Sequence, residues 1–366
     1  MTDLTVAASP TASALAEILA SGNPAVRMAP YRGVLSPVEL DVRRGEIEAL
    51  ANGTAVHDLG WLRRVAVRGE DRFRWLSGMV TNTVNDLASG AGAWNLVLNA
   101  QGRIQGDLTV WRDTEDLELE MAADQYDRLL AHLDHFIIMD DVELVGMNPV
   151  EETALGLTGP KAGEVLGRMG LPVVQEPLTQ AQAEFEGTPL LIRRGYGVLA
   201  EHYAIRVSAA KVGVLWQALG AAGGKPVGTA ALEEFRIAEG IPAYGIDMVE
   251  RDLPQETSQM RALHFSKGCY LGQEIVERIR SRGNVHRHLR SLELEGPLPE
   301  PGTKLELNGA EAGHITSAAE LPLAGGARVL ALGMIRAEAE QSNPPLTYVA
   351  GEKTGTARLV SDVPQL

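Results

Sequence analysis

The sequence predicts an α+β protein built from two similar halves with antiparallel sheets, followed by a small C-terminal β-barrel. Three observations carry this prediction. A strand–glycine–helix unit near residue 65 recurs near residue 155, and hairpin patterns follow each copy. From Arg290 the texture changes to short alternating segments rich in Gly and Pro, the pattern of an all-β barrel. A chain of 366 residues has room for three such units. The boundaries read from these shifts are 1–30 as a weakly structured lead-in, 31–150 and 151–288 as the α+β domains, and 289–366 as the barrel.

Taken in order, Ser13 is placed to cap a short helix over Ala14 to Ala20. A helical stretch over 45–50 runs into the turn Ala51-Asn52-Gly53-Thr54, and His57-Asp58-Leu59-Gly60 follows. Val65 and Val67 alternate as in a strand, Gly69 breaks it, and Phe73, Leu76 and Val80 fall at helical spacing. Trp94–Leu98 and Ile104–Val110 flank a turn and read as a hairpin, with Leu117, Leu119 and Met121 continuing the alternation. Leu129, Leu130, Leu133, Phe136 and Ile137 mark an amphipathic helix. The plan then repeats: a strand at 154–158, a turn at Gly159-Pro160 and a helix through Val165, Leu166 and Met169. Leu190–Arg193 and Tyr203–Val207 read as a second hairpin around Gly195-Tyr196-Gly197, and helices follow at 212–219 and 230–239.

Composition narrows the function classes. A formal net charge of −15 disfavours nonspecific attraction to nucleic acid or anionic lipid. No run approaches the ~20 apolar residues of a membrane span, and the N-terminus lacks a signal-peptide pattern, so a cytoplasmic location is expected. With a single cysteine, no internal disulfide framework and no cluster of thiolate ligands can form, and no metal site is expected. One segment departs from the acidic balance. Between Arg261 and Arg290 there are seven Lys or Arg against two acids, Glu274 and Glu277. It reads as a solvated helix face or as a local anion site.

The lone cysteine, Cys269, sits in Lys267-Gly268-Cys269-Tyr270-Leu271-Gly272-Gln273-Glu274, and the residues from Gln273 onward read as a helix. A lone cysteine is most often a small buried apolar residue. Flanking glycines, a lysine and a Gln-Glu pair fit a different role, in which Lys267 and the amides entering the helix favour the thiolate below its usual pKa of ~8.5.

This motif, followed by Arg-Ser-Arg-Gly-Asn-Val-His-Arg at 280–287, resembles the signature of the YgfZ family, folate-binding proteins related to the aminomethyltransferase (T-protein) of the glycine cleavage system. The resemblance implies an aminomethyltransferase-like fold that binds tetrahydrofolate or a one-carbon derivative. It implies a role in assembling or maintaining iron–sulfur enzymes, whose members or assembly factors would be partners alongside a folate, polyglutamated or not. Cys269 and Lys267 would carry the chemistry, and Gly268, Tyr270, Gly272, Gln273, Glu274 and Arg287 would complete the site.

Two further segments match. Asn99 to Leu108 is similar to the family's Gly-Gly-x-x-Asp-Asp-Leu, with Gly106 in place of the first acid and Asp107 at the second. A carboxylate here suits proton exchange with a folate amine, while the plain alternative is a solvent-facing aspartate. Arg236 to Glu256 resembles the T-protein stretch running through Tyr-Gly to Pro-x-Glu. Tyr244 would stack on a pterin and Glu256 would accept hydrogen bonds from its amidine-like edge, with Glu250 and Asp252 as other acids in reach. Core packing for Tyr244 and a helix-start role for Glu256 are the plain alternatives. Three functions remain open at this point: an iron–sulfur accessory protein, a folate-dependent aminomethyltransferase or demethylase, and a noncatalytic folate-binding or partner-docking module.

Overall fold

The computed structural model describes residues 11–360 except 114, 115, 284, 324, 343 and 344. The first half is a five-stranded antiparallel sheet in the order Gly92–Leu98, Ile104–Arg112, Leu117–Ala122, Leu62–Arg68, Glu143–Gly146. Helices Arg72–Met79 and Ala123–Asp134 pack on it through Leu76, Met79, Leu129 and Leu133. The second half is a six-stranded sheet in the order Thr179–Phe185, Thr188–Arg194, Glu201–Ser208, Glu152–Gly159, Ala55–Asp58, Lys225–Pro226. Strand Ala55–Asp58 thus lies early in the sequence of the first unit but in the sheet of the second.

Within the stretch read as a lead-in there is an ordered helix, Ala14–Gly22, with the Ser13 hydroxyl accepting from the Ala16 amide at 2.9 Å. Its Leu15 is fully buried in the core of the second half beside Leu155, Leu166 and Leu215. An apolar residue at that spacing anchors a segment whose composition alone reads as loose.

The duplication shows in the two strand-to-helix turns. Gly69 (φ +99) and Gly159 (φ +143) occupy matching places, and a Cβ at either would meet a carbonyl oxygen, of Asp141 at 2.0 Å or of Gly53 at 2.3 Å. Only glycine fits both the dihedral and the space.

Six C-terminal strands close into a barrel, in the order Arg287–Glu295, Gly326–Arg336, Ala310–Leu323, Lys304–Leu307, Leu346–Ala350, Lys353–Leu359. Leu321, Leu332 and Met334 on its wall share a core with Ile47, Leu50 and Phe235, so helices Arg43–Asn52 and Thr229–Ala238 join the barrel to the second half. Among the described residues no helix is long and apolar enough to cross a membrane.

Candidate functional site

A cavity of about 380 Å³ opens where the two halves and the segment after helix Thr229–Ala238 converge. That is within the usual range for small-molecule pockets. The first sheet contributes Trp94, Asp107, Trp111 and Glu120, the second contributes His57, Thr158, Arg193 and His202 with Tyr196 from the loop between two of its strands, and the connecting segment contributes Glu239, Tyr244 and Arg261.

Asp107 reaches the wall because strand Ile104–Arg112 alternates, burying Ile104, Gly106, Leu108 and Val110 on the other face. Gly106 is needed for the packing behind it, since a Cβ there would lie 2.6 Å from Gln125 Oε1 and 2.9 Å from Leu129. With that space open, Gln125 comes onto Asp107: its Nε2 donates to Oδ1 at 3.1 Å and its Oε1 accepts from the Asp107 amide at 3.0 Å. Trp94 Nε1 donates to Oδ2 at 2.9 Å. The carboxylate is held in place by neutral donors alone.

The other cavity carboxylates are balanced by cations. Glu120 meets Arg193 at 3.0 Å and Glu239 meets His202 Nε2 at 2.8 Å. Glu239 Oε1 also accepts the Val198 and Leu199 amides, both at 2.9 Å, which pins the loop carrying Tyr196. Burial works to raise the Glu239 pKa, but His202 and the two amides hold it below the usual glutamate range. From His202 a polar chain continues: Nδ1 lies 3.2 Å from Thr158 Oγ1, which lies 3.0 Å from His57 Nε2. Burial first, and then the nearby His202 ring, push His57 down to about 3, so its imidazole is neutral at physiological pH. His57 pairs across the sheet with Gly156, where a Cβ would sit 1.9 Å from His57 Cε1. The ring occupies the space that glycine leaves.

Tyr244 is 8% exposed and lines the cavity, with the Arg128 guanidinium 4.8 Å from its ring centroid. The turn that carries it is held by Asp247, which accepts the Ala243 amide at 3.0 Å.

Residues 27–267 match the family described as the GCVT N-terminal domain. The chain belongs to that family. Its fold is that of an aminomethyltransferase: the crystal structure of glycine cleavage system aminomethyltransferase T from Bartonella henselae superimposes with a TM-score of 0.86 over 96% of this chain and 97% of that one, at 19% identity. Curated relatives include the "Putative transferase At1g60990, chloroplastic" of Arabidopsis thaliana, 27% identical over 74% of this chain and 63% of that protein's length. The aminomethyltransferases of Rubrobacter xylanophilus (27% identical, 86% of this chain and 84% of that one) and Thermus thermophilus (28%, 81% and 84%) are similar too.

In this GCVT-family chain the cysteine motif forms a separate locus, and none of its residues from Lys267 to Glu274 lines the cavity. Cys269 is exposed. Gly268 (φ +102) and Gly272 (φ +82) make the turns on either side, and Gly272 precedes helix Gln273–Arg282. Gly272 also packs where a Cβ would lie 2.6 Å from the Asn99 carbonyl oxygen, seating the motif on the Asn99–Gly102 turn. Tyr270 is buried beside Leu98 and Met248, its amide donates to Gln273 Oε1 at 3.3 Å, and Glu274 is exposed.

The Lys267 ammonium is committed to two carbonyl oxygens, of Val80 at 2.6 Å and Asn82 at 2.5 Å, which ties the motif to the first half. Burial pushes this lysine down to about 7. Between about pH 7 and the ordinary value of 10.5 the folded chain therefore binds fewer protons at Lys267 than the unfolded chain. The residue adds stability as pH rises through that window and loses it as pH falls toward 7. Lys267→Met should remove about 1–2 kcal/mol of that pH-dependent gain, read from urea midpoints at both ends of the window. Parallel curves for the two proteins would show an ammonium as well solvated folded as unfolded.

The acids expected at the pterin edge lie elsewhere. Glu256 and Asp252 face Arg287, at 3.0 and 2.8 Å, and Glu256 Oε2 accepts the Leu253 amide at 2.9 Å. Neither acid lines the cavity. Other members of the basic segment are likewise paired: Arg290 and His288 with Glu340, and Arg280 with Glu277. Of that segment, Arg261 alone lines the cavity among the described residues. His57, Thr158, His202 and Glu239 were not marked by the sequence as site residues. Their one signal was a histidine set within an apolar strand.

Proposed function

We propose that the cavity binds a reduced folate, tetrahydrofolate or a one-carbon derivative, and that the chain is a YgfZ-like accessory protein for iron–sulfur enzymes that acts through Cys269. The observation that carries the folate reading is Asp107, the one cavity-lining carboxylate without a cationic partner among the described residues. Its neutral donors fix it while leaving its charge for a ligand. A reduced folate brings ring and bridging N–H groups that such a carboxylate can accept or exchange protons with. Tyr244 supplies a flat apolar face on the same wall.

The curated aminomethyltransferase relatives favour a second reading, a folate-dependent transferase. Against it stands Gly106 in the place of the first acid of the family's pair, where a side chain would have to displace Gln125 and Leu129. The exposed thiol, held away from the cavity on a fixed turn, favours a role toward a partner protein.

Calorimetric titration with tetrahydrofolate and its 5-formyl and 5,10-methylene forms tests the ligand. Binding is expected, and Asp107→Asn should weaken it by about 1.5–3 kcal/mol, the range for a hydrogen bond to a charged group. No binding to any form would end the folate reading. Cys269→Ser should keep folate affinity yet fail to restore iron–sulfur enzyme activity in cells lacking the protein, and full rescue by this variant would return the chain to the transferase reading.

A further inference from the structure

We infer that Arg261 is the carboxylate-recognising residue of this cavity, and that the ligand accordingly bears a carboxylate on the part that lies between Trp94 and Tyr196. In its assignment to folate this inference rests on the reading above. The observation beneath it does not.

Every other arginine on the cavity wall is neutralised. Arg32 meets Glu233 at 3.7 Å, Arg193 meets Glu118 and Glu120 at 2.6 and 3.0 Å, and Arg236 meets Asp247 at 2.6 Å. Arg261 has no carboxylate within 4 Å among the described residues. Its Nε donates to Gln259 Oε1 at 3.3 Å, and its two terminal nitrogens have no hydrogen-bond partner there. Arg261 is half-buried, and a partly desolvated cation without a counter-ion favours an anion that meets it at the site. Burial depresses its pKa, while Tyr196, Asp107 and Glu239 draw it back up.

What holds the guanidinium is aromatic. Its carbon lies 3.7 Å from the Tyr196 ring centroid and 4.5 Å from that of Trp94, one ring from each half of the molecule. The Arg261 carbonyl is fixed by Asn82 Nδ2 at 2.9 Å. Contacts with ring faces leave the in-plane N–H edge of the guanidinium uncommitted, and that edge matches a carboxylate in two parallel hydrogen bonds. Stacking fixes the plane in advance, so little rotamer freedom is lost when an anion arrives. In a chain of net charge −15 the long-range field repels anions, so a local, preoriented cation is the means of taking one. The cavity thus offers one unmatched carboxylate, Asp107, and one unmatched guanidinium, Arg261. Both lie against Trp94, and the pair suits a ligand that carries N–H groups and a carboxylate, which folates with a glutamate tail satisfy.

The test uses calorimetry on the full chain and its Arg261→Gln and Arg261→Lys variants with three probes: 5-formyltetrahydrofolate, 6-methyltetrahydropterin, which has no carboxylate, and p-aminobenzoylglutamate, which has no pterin. Arg261→Gln should weaken the two carboxylate probes about 10–100-fold and the pterin less than about 3-fold, with Arg261→Lys recovering part of the loss. An equal loss for all three probes, or no loss for any, would overturn the inference. Arg261-dependent binding of p-aminobenzoylglutamate with no binding of either pterin-bearing probe would uphold the inference and remove the folate reading. Folate binding insensitive to Arg261 would do the reverse. Failure of the unaltered protein to bind any of the three would sink both.

Discussion

Replacing Asp247 with alanine is expected to lower the free energy of unfolding by about 3–5 kcal/mol, the range for removing one partner of a buried ion pair. Its carboxylate is fully buried and accepts four hydrogen bonds: from Arg236 Nη1 at 2.6 Å, the Ala243 amide at 3.0 Å, Thr316 Oγ1 at 2.6 Å and Ser317 Oγ at 2.6 Å. The two hydroxyls come from adjacent residues of one barrel strand, which a regular strand would point to opposite faces. A register shift between Ile315 and Ser317 turns both to the same carboxylate. Alanine leaves Arg236 with Glu233 as its remaining carboxylate and removes an acceptor from two buried hydroxyls. Because the Ala243 amide belongs to the turn that presents Tyr244, the loss should also weaken ligand binding. Urea denaturation and calorimetry on Asp247→Ala read the two effects. A stability change under about 1 kcal/mol would mean that water or rearranged donors replace the carboxylate.

Local pattern made much of this fold legible. Gly69 and Gly159 announced the two strand-to-helix turns, Ser13 announced its helix, and the alternation over 104–110 announced the strand that carries Asp107. The texture after Arg290 announced the barrel that the structure closes. What local pattern does not carry is register between distant strands. His57, Thr158 and His202 come together because Ala55–Asp58 pairs with Glu152–Gly159, which in turn pairs with Glu201–Ser208. No spacing within any one of these strands states that. Strand Thr179–Phe185 is not legible in the sequence because Gln-Ala-Gln-Ala-Glu offers no large apolar face, and the pattern alone pairs Leu190–Arg193 only with Tyr203–Val207. In the structure Thr188–Arg194 also has Thr179–Phe185 as its antiparallel neighbour. The basic segment shows the same limit for charge. Composition counts Arg287 and Arg290 with Arg261, but only the fold shows that the first two meet carboxylates and the third does not.

Arg193→Met is expected to have an effect of similar size, with a pH dependence that identifies its cause. Arg193 is 4% exposed on strand Thr188–Arg194, and it reaches across to Glu118 at 2.6 Å and Glu120 at 3.0 Å on Leu117–Ala122 of the other sheet. Its Nε donates to Gln180 Oε1 at 3.0 Å and its guanidinium lies 4.5 Å from the Trp111 centroid, so this one side chain fastens the two halves at the cavity wall. Methionine keeps much of the apolar stem and removes the charge. Glu118 keeps Arg206 at 2.8 Å, whereas Glu120 loses its ion-pair partner, and a loss of about 3–5 kcal/mol at pH 7 follows. In the native protein burial works to raise the Glu118 pKa, but Arg193 and Arg206 more than offset it and hold the group below the usual glutamate value of 4.5. A carboxylate depressed on folding contributes stability that is present above its unfolded pKa and is lost as pH falls through its folded pKa. Removing Arg193 removes the largest of the influences that lower it. The gap between the two proteins should therefore be widest near pH 7 and narrow as pH falls below about 4.5. Guanidinium-induced unfolding of both proteins at several pH values reads the gap directly. A gap that stays constant with pH would assign the loss to the contact with Trp111 rather than to charge.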